Sequence, residues 1–458
     1  MITKNPSAEG PSLDTGTPVP VSIDYVDSQL TELWRDVAEA AQAKGGIAAV
    51  TMAQVLNLLV RADSQTAANN YTLVIDAITG SHPARVITML TDPNEDNLPV
   101  QAWVSIHCQV PPAGGRQVCC EQIWVASGAN TVRQVPAAVI PLILAELPVF
   151  LWWPKGSPLD DYLFRQLGES LDRLIVDSAT FENAEGDLAK MASRLRNDWP
   201  KIACTDVNWE RLTMWREMVA QFFDGAGTRP YLDRIRSVDI EFSCPTISAA
   251  TGRTPVNRAQ ALLLAGWLAS RLGWQPVEPV YEMLRADGNS PSAARLSLLC
   301  GGDPVTILIR PGNRAGAVPG DLLSVKLEVA GQDPNGPAEA SFEVCMSGGG
   351  EGEHEHEPEY QYEHASINVE IAGTQPTRRS VHMEEPTVDM LLDKELEVFS
   401  HDKIYEEALE VAGIFIRGTG KREGEGPRKL STGEPVSAGA ARSPSPRPNK
   451  PQNPNPGQ

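Results

Sequence analysis

Between residues 135 and 242, short apolar runs alternate with helical stretches of about ten to fifteen residues. Helical patterns over 135–146, 159–171, 186–197 and 209–223 each lead into a strand-like run, at 149–153, 174–177, 201–205 and 237–242. This alternation constrains the fold more than any other feature. Parallel strands need a crossover connection, and a helix is the usual one. The unbroken run Val149-Phe150-Leu151 fits a strand buried on both faces. The expected class is therefore α/β, with repeated βαβ units forming a largely parallel sheet. Upstream, residues 23–43 read as a helix, with Leu30, Leu33, Val37, Ala40 and Ala41 near one face. Residues 52–62 read as a second helix. Segments 71–77, 85–90, 100–110 and 117–126 read as strands, separated by turn signals such as Gly80-Ser81-His82-Pro83.

The helix over 259–272 opens with Asn257-x-x-Gln260, the pattern of a capping box. It closes at Gly273, well placed for a left-handed residue. Leu262, Leu263, Leu264, Trp267 and Leu268 surround it, which predicts burial almost all round. After Trp274 the texture changes. Segments 295–300, 305–309, 322–329, 339–346 and 366–371 read as closely spaced strands joined by Gly/Pro/Asn turns. Two helices, 388–399 and 402–415, follow. This part is expected to be a C-terminal α+β domain with a mainly antiparallel sheet. The expected division is a disordered tail at 1–20, an α/β body at 21–275 with a possible split near 130, the α+β domain at 276–416, and a disordered tail at 417–458. An acidic loop, 347–364, lies inside the α+β domain.

Net charge is −20 over 458 residues. So acidic a chain is a poor partner for the phosphate backbone, and no nucleic acid is expected. Residues 351–410 alone carry seventeen acids and four bases. The last forty-one residues reverse the sign, with seven Lys/Arg against three Glu. No apolar run approaches the ~18 residues of a membrane span, and residues 1–20 lack a basic stretch followed by an apolar one. Neither a membrane partner nor a secretory leader is expected. Seven cysteines, an odd number without zinc-type spacing, point to free thiols in a reducing cytoplasm.

A reaction centre is hard to find. No G-x-G-x-x-G follows a strand; Gly225-Ala226-Gly227 follows a helix. A Walker A sequence and a G-x-S-x-G elbow are both missing. His354, His356 and His364 lie among glutamates, but beside Gly348-Gly349-Gly350 they read as a solvated acidic loop rather than a metal site. No cofactor or metal is expected. Cys119-Cys120 is the sharpest redox candidate, although alternation sends the two side chains to opposite faces of a strand. His82-Pro83-x-Arg85 and Asp172-Arg173 could hold an anion, but each reads better as a turn or an ion pair. The remaining signal is aromatic. In Leu151-Trp152-Trp153-Pro154 one tryptophan should face each side of the sheet, one in the core and one near the surface. Trp215 and Arg216 fall at the margin of the next strong helix. Trp152, Trp153, Arg173, Trp215 and Arg216 are therefore the candidates for binding a protein partner. The competing readings are a phosphosugar- or nucleotide-metabolising enzyme on a doubly wound sheet, and a thiol redox-responsive regulator.

Four blocks, Leu147–Pro158, Asp172–Ser178, Asn208–Asp224 and Asn257–Trp274, recur in this order in one family. In them the chain resembles the glucose-6-phosphate dehydrogenase assembly protein family, OpcA, from about residue 21 to 415. The resemblance implies a non-catalytic protein of the oxidative pentose phosphate pathway that promotes assembly of the dehydrogenase oligomer and activates it. It brings no catalytic residues. Thioredoxin is a further partner to consider if the cysteines respond to redox state.

Overall fold

A computed structural model describes residues 17–43, 51–52, 54–109, 117–244, 256–284, 292–314, 316–331, 338–347, 363–383 and 386–418. Most of the two expected tails, and His354 and His356 of the acidic loop, lie outside these residues. All described residues fall in one compact unit.

The first half runs β1 (Val19–Val21), α1 (Val26–Ala43), β2 (Thr51–Met52), β3 (Leu56–Ala62), α2 (Gln65–Thr79), β4 (Ala84–Asp92), β5 (Gln101–Gln109) and β6 (Val118–Gly128). It continues with α3 (Val135–Val139), β7 (Val149–Trp153), α4 (Tyr162–Leu167), β8 (Arg173–Val176), α5 (Ala184–Asn197), β9 (Ala203–Asp206), α6 (Val207–Arg211) and α7 (Thr213–Gln221). The strands form a nine-stranded sheet in the order β1-β5-β6-β4-β3-β7-β8-β9, with β2 also on β6. From β6 to β9 along this order every pairing is parallel; β5 and β1 add antiparallel at one edge. The chain winds outward from β3 through β4 to β6, then returns to β7 beside β3 and winds the other way. This is a doubly wound sheet, and its strand order reverses between β3 and β7.

The second half runs β10 (Ile235–Ser243), α8 (Ala259–Leu272), β11 (Gln275–Met283), β12 (Ala294–Cys300), β13 (Asp303–Gly312), β14 (Leu322–Val329), β15 (Ala340–Ser347), β16 (Glu363–Ile371), β17 (Thr377–Met383), α9 (Val388–Glu397) and α10 (Lys403–Arg417). Its eight strands order as β11-β12-β13-β10-β14-β15-β16-β17. Only β10 and β13 are parallel neighbours. One largely parallel and one mainly antiparallel sheet, both with helices, is the α/β plus α+β class read from the sequence. β10, which continues the alternation of the first half, is spent in the centre of the second sheet.

Several local readings change. Residues 56–62 form a parallel strand rather than a helix. Leu56, Leu58, Leu59 and Val60 are all buried, and a continuously apolar strand has no period to separate it from a buried helix. Residues 71–77, read as a strand, lie in α2, which Ser64 starts by accepting a hydrogen bond from the Ala67 N–H at 3.2 Å. Val19 and Pro20, placed in the expected tail, belong to β1, which adds to the sheet edge with Val19 opposite Val104. The helix expected over 209–223 is two helices meeting at Leu212.

α8 is buried along almost its whole length and ends on Gly273 at φ +66°. Leu262, Leu263 and Leu264 are each fully buried, a contribution of about 1.5–3 kcal/mol per side chain. α10 lies against it, and Gly266 makes the approach possible: a Cβ there would run into the Ala408 carbonyl oxygen. The capping box forms only in half. Asn257 Oδ1 accepts from the Ala259 N–H at 2.9 Å, whereas Gln260 turns outward to other elements.

Candidate functional site

In a doubly wound sheet ligands sit outside the carboxyl ends of the strands, where the order reverses. Here that place is the turn after β3 and the turn after β7. A small recess of about 160 Å³ lies there, lined by Arg61, Asp63, Tyr71, Trp153, Lys155, Ser157 and Asp161. Some of its groups are engaged with one another, while the Arg61 Nε is buried without a hydrogen-bond partner. Lys155 Nζ donates to Asp63 Oδ2 at 2.8 Å. The Arg61 guanidinium stands 5.6 Å from the Trp153 ring centroid and also reaches the Ala62 carbonyl. Ser64 caps α2, filling the position that a phosphate would take at a helix N-terminus. The hydrogen bond from Lys155 holds Asp63 below the usual carboxylate range, so a negative charge stands where a pyrophosphate would lie. A dinucleotide needs a glycine turn and a free helix N-terminus; the sequence Ala62-Asp63-Ser64 provides neither.

Further along the same edge the strand ends of β8 and β9 form a closed network. Arg211 donates to both oxygens of Asp177, at 2.8 and 2.9 Å. Asp206 Oδ1 accepts from the Ser178 and Asn208 N–H groups, each at 2.9 Å. Burial, reinforced by the charge of Asp177, pushes the Asp206 carboxyl up to about 7. Asn208 Nδ2 donates to Ser178 Oγ at 3.0 Å. Gln260 Nε2 donates to Asn208 Oδ1 at 2.8 Å and Asp321 Oδ1 at 3.0 Å, and its Oε1 accepts from the Leu322 N–H at 3.1 Å. This network joins the first sheet to α8 and to the start of β14. Within it the Ser178 side chain also hydrogen-bonds the Asp206 carboxyl, and both residues are fully buried, out of contact with solvent. Among the described residues, no group of three or more His, Cys, Asp or Glu could hold a metal ion. Likewise, no described helix is long and apolar enough to cross a membrane.

The residues singled out from the sequence do not gather on a surface. Trp152 and Trp153 do point to opposite faces, yet both are buried. Trp152 packs on Tyr71 with ring centroids 5.1 Å apart, in a cluster that also contains Leu391, Leu392 and Leu396 of α9. The face expected to be open is thus closed by a helix from the far end of the chain. Arg173 is buried as well, donating to Glu395 Oε2 at 2.7 Å and to the Ser400 carbonyl at 2.9 Å. Trp215 is buried, and half-buried Arg216 lies 3.7 Å over the Trp209 ring. Arg85 forms ion pairs with Glu121 and Asp27, and Asp172 accepts from the Val149 N–H at 2.8 Å. Both suspected anion sites are structural ties.

Cys120, Cys204, Cys244, Cys300 and Cys345 are free, as expected, but two cysteines differ. Cys119 forms a disulfide with Cys108, its cross-strand partner on β5. Cys120 points to the other face, stays free and buried, and burial pushes its thiol up to about 11. His364, at the start of β16, is exposed and stands 5.4 Å from the His382 ring.

Two tryptophans with greater exposure were not singled out. Trp103 on β5 and Trp124 on β6 are direct cross-strand partners, and neither is fully buried. Both strands are legible in the sequence, and alternation puts each Trp on a defined face. The sequence pattern does not show which of the two faces a helix covers.

Comparison with known proteins gives a consistent picture. Residues 75–193 match the OpcA family described as glucose-6-phosphate dehydrogenase subunit N-terminal domain, and residues 202–409 match the corresponding C-terminal domain. The chain is 29% identical over 354 residues to the OxPP cycle protein OpcA of Synechocystis sp., covering 75% of this chain and 66% of that protein. It is 28% identical over 349 residues to the protein of the same name from Nostoc punctiforme, covering 75% and 67%. The chain thus spans about two thirds of the length of the curated relatives it matches. Among solved structures, the Bacillus subtilis oxidoreductase yvaA aligns at a TM-score of 0.44 and 9% identity, covering 80% of this chain and 95% of that one. An apo levoglucosan dehydrogenase aligns at 0.41 and 10%, covering 80% and 96%. Likenesses so distant decide nothing about chemistry. With both family regions matched in order across more than half of its residues, the chain belongs to the OpcA family of glucose-6-phosphate dehydrogenase subunits.

Proposed function

We propose that this chain is a non-catalytic assembly factor and activator of glucose-6-phosphate dehydrogenase in the oxidative pentose phosphate pathway. One observation carries the reading beyond family membership. The ligand position of its doubly wound sheet is narrowed to a recess of about 160 Å³ by the chain's own side chains, Lys155 on Asp63 and Arg61 beside Trp153. A doubly wound sheet whose usual ligand position is this small and occupied by an ion pair leaves its surface as the working part. Activation of this kind needs only differential binding: a partner that prefers the active oligomer shifts the population toward it. A coupling of about 1–3 kcal/mol changes apparent substrate affinity about 5- to 150-fold.

The test mixes the purified chain with the dehydrogenase of the same organism and follows oligomer mass and turnover. The expected result is a larger complex with a lower half-saturation for glucose 6-phosphate, and no turnover by the chain alone. Turnover by the chain alone would favour a phosphosugar- or nucleotide-metabolising enzyme instead. A thiol-responsive form of the same activator is favoured by the Cys108–Cys119 disulfide. It requires that activation differ between oxidised and reduced chain, with thioredoxin as the candidate reductant.

A further inference from the structure

Among the described residues, the first sheet has a bare stretch. α2 packs against β3 and β4 on one face. α1 packs on the opposite face of β5, where Val26 and Leu30 share a core with Val104 and Ile123. Among the described residues, no helix covers the α2 side of β5 and β6. Alternation along the two strands puts Trp103 and His107, with Gln122 and Trp124, on that side. They floor a groove of about 730 Å³. Leu73 of α2 stands on one wall, 72% exposed. The segment carrying Asp92, Glu95 and Leu98 forms the other.

The chemistry of this groove narrows what fits it. Among its lining residues are two carboxylates, Asp92 and Glu95, and no Lys or Arg. His107 faces the Asp76 carboxylate at 3.7 Å. The floor offers paired aromatic rings, which attract both apolar groups and cations. The groove has no buried charge to orient a small metabolite, and the Gln122 amide is already given to Asp76 at 3.0 Å. An open groove with paired tryptophans, an exposed leucine and an acidic rim has the make-up of a protein hot spot.

We infer that this groove seats a basic segment of the dehydrogenase, with an aromatic or aliphatic anchor on Trp103 and Trp124 and its Lys or Arg side chains against Asp92 and Glu95. The inference rests on the assembly function proposed above. It assigns that function a surface, and it assigns the acidic charge of the chain a local task.

The test measures affinity between the full chain and the dehydrogenase of the same organism by calorimetry at two salt concentrations. Four variants are compared: Trp103→Ser with Trp124→Ser, Leu73→Glu, Glu95→Lys, and Glu370→Lys on the distant second sheet. Leu73 and Glu95 are exposed, so their variants keep the core intact even if the tryptophan pair proves needed for folding. Expected are losses of about thirtyfold for the tryptophan pair and about tenfold for Leu73→Glu. Glu95→Lys should lose affinity and flatten the salt dependence, and Glu370→Lys should bind as the parent does. A parent chain that does not bind overturns the assembly function itself. A parent that binds while all three groove variants stay within twofold of it overturns only the groove assignment. Self-association of the chain alone that these variants abolish would make the occupant a second copy, and would equally overturn it.

Discussion

Arg173 of β8 and Glu395 of α9 meet at 2.7 Å across a sequence separation of 222, with both side chains buried. The pair pins α9 over the face of the first sheet that holds Trp152, and burial raises the Glu395 carboxyl above its ordinary range. Glu395→Ala would leave the Arg173 charge buried without a carboxylate, at a cost of about 3–5 kcal/mol. Replacing both partners, as Arg173→Met with Glu395→Leu, should be much milder. Urea denaturation of the two variants checks the order; equal losses would show that the pair is not coupled.

Asp206 supplies a pH dependence. Its folded-state carboxyl titrates at about 7, against an ordinary value of 3.8. Between those values the folded chain holds more protons than the unfolded one, so this group's contribution to stability falls as pH rises from about 4 to 7. Asp206→Asn keeps an oxygen for the Ser178 and Asn208 N–H groups and removes the buried charge. It should stabilise the chain at pH 8 by on the order of 2 kcal/mol and by much less at pH 5. Denaturation midpoints at the two pH values decide; a gain independent of pH would contradict the shift.

Gly266 sets the distance between α8 and α10. An added methyl meets the Ala408 carbonyl oxygen, a backbone atom that cannot swing away. Gly266→Ala should therefore destabilise by at least about 1–3 kcal/mol, even though alanine is the better helix former. A calorimetric melting temperature at or above that of the parent would mean that the helices do not pack this closely.

The Cys108–Cys119 bond links β5 to β6 across a sequence separation of 11 residues. Bridges over such loops contribute about 2–3 kcal/mol in the chain-entropy view. Reductant should lower the denaturation midpoint of the parent chain and leave a Cys108→Ser with Cys119→Ser variant unchanged. Peptide mapping under non-reducing conditions should find Cys120 unpaired; a Cys119–Cys120 adduct would contradict the strand geometry.

Much of this fold is legible in the sequence where local and global signals agree. The βαβ alternation from 135 onward, the strand at 149–153 and the helix at 259–272 follow from period and caps. Legibility fails where burial erases periodicity, as at 56–62, and where tertiary packing overrides propensity, as at 71–77. β11 carries Pro276 and Pro279, which argue against a strand in general but are tolerated at a sheet edge, where β11 lies. The site was harder to read. Trp152 and Arg173 fit a surface role until α9 is placed over them, and no local pattern announces a contact across 222 residues. Trp103 and Trp124 lie in strands legible in the sequence, but their exposure follows from a face that no described helix covers.

The most direct measurement is the glucose 6-phosphate half-saturation of the dehydrogenase titrated with this chain, with the chain alone as control. The expected result is a half-saturation that falls and levels off at a fixed ratio of the two proteins, while the chain alone turns over nothing. A half-saturation indifferent to the chain at every ratio, or turnover by the chain alone, would contradict a closed scaffold that acts through its surface.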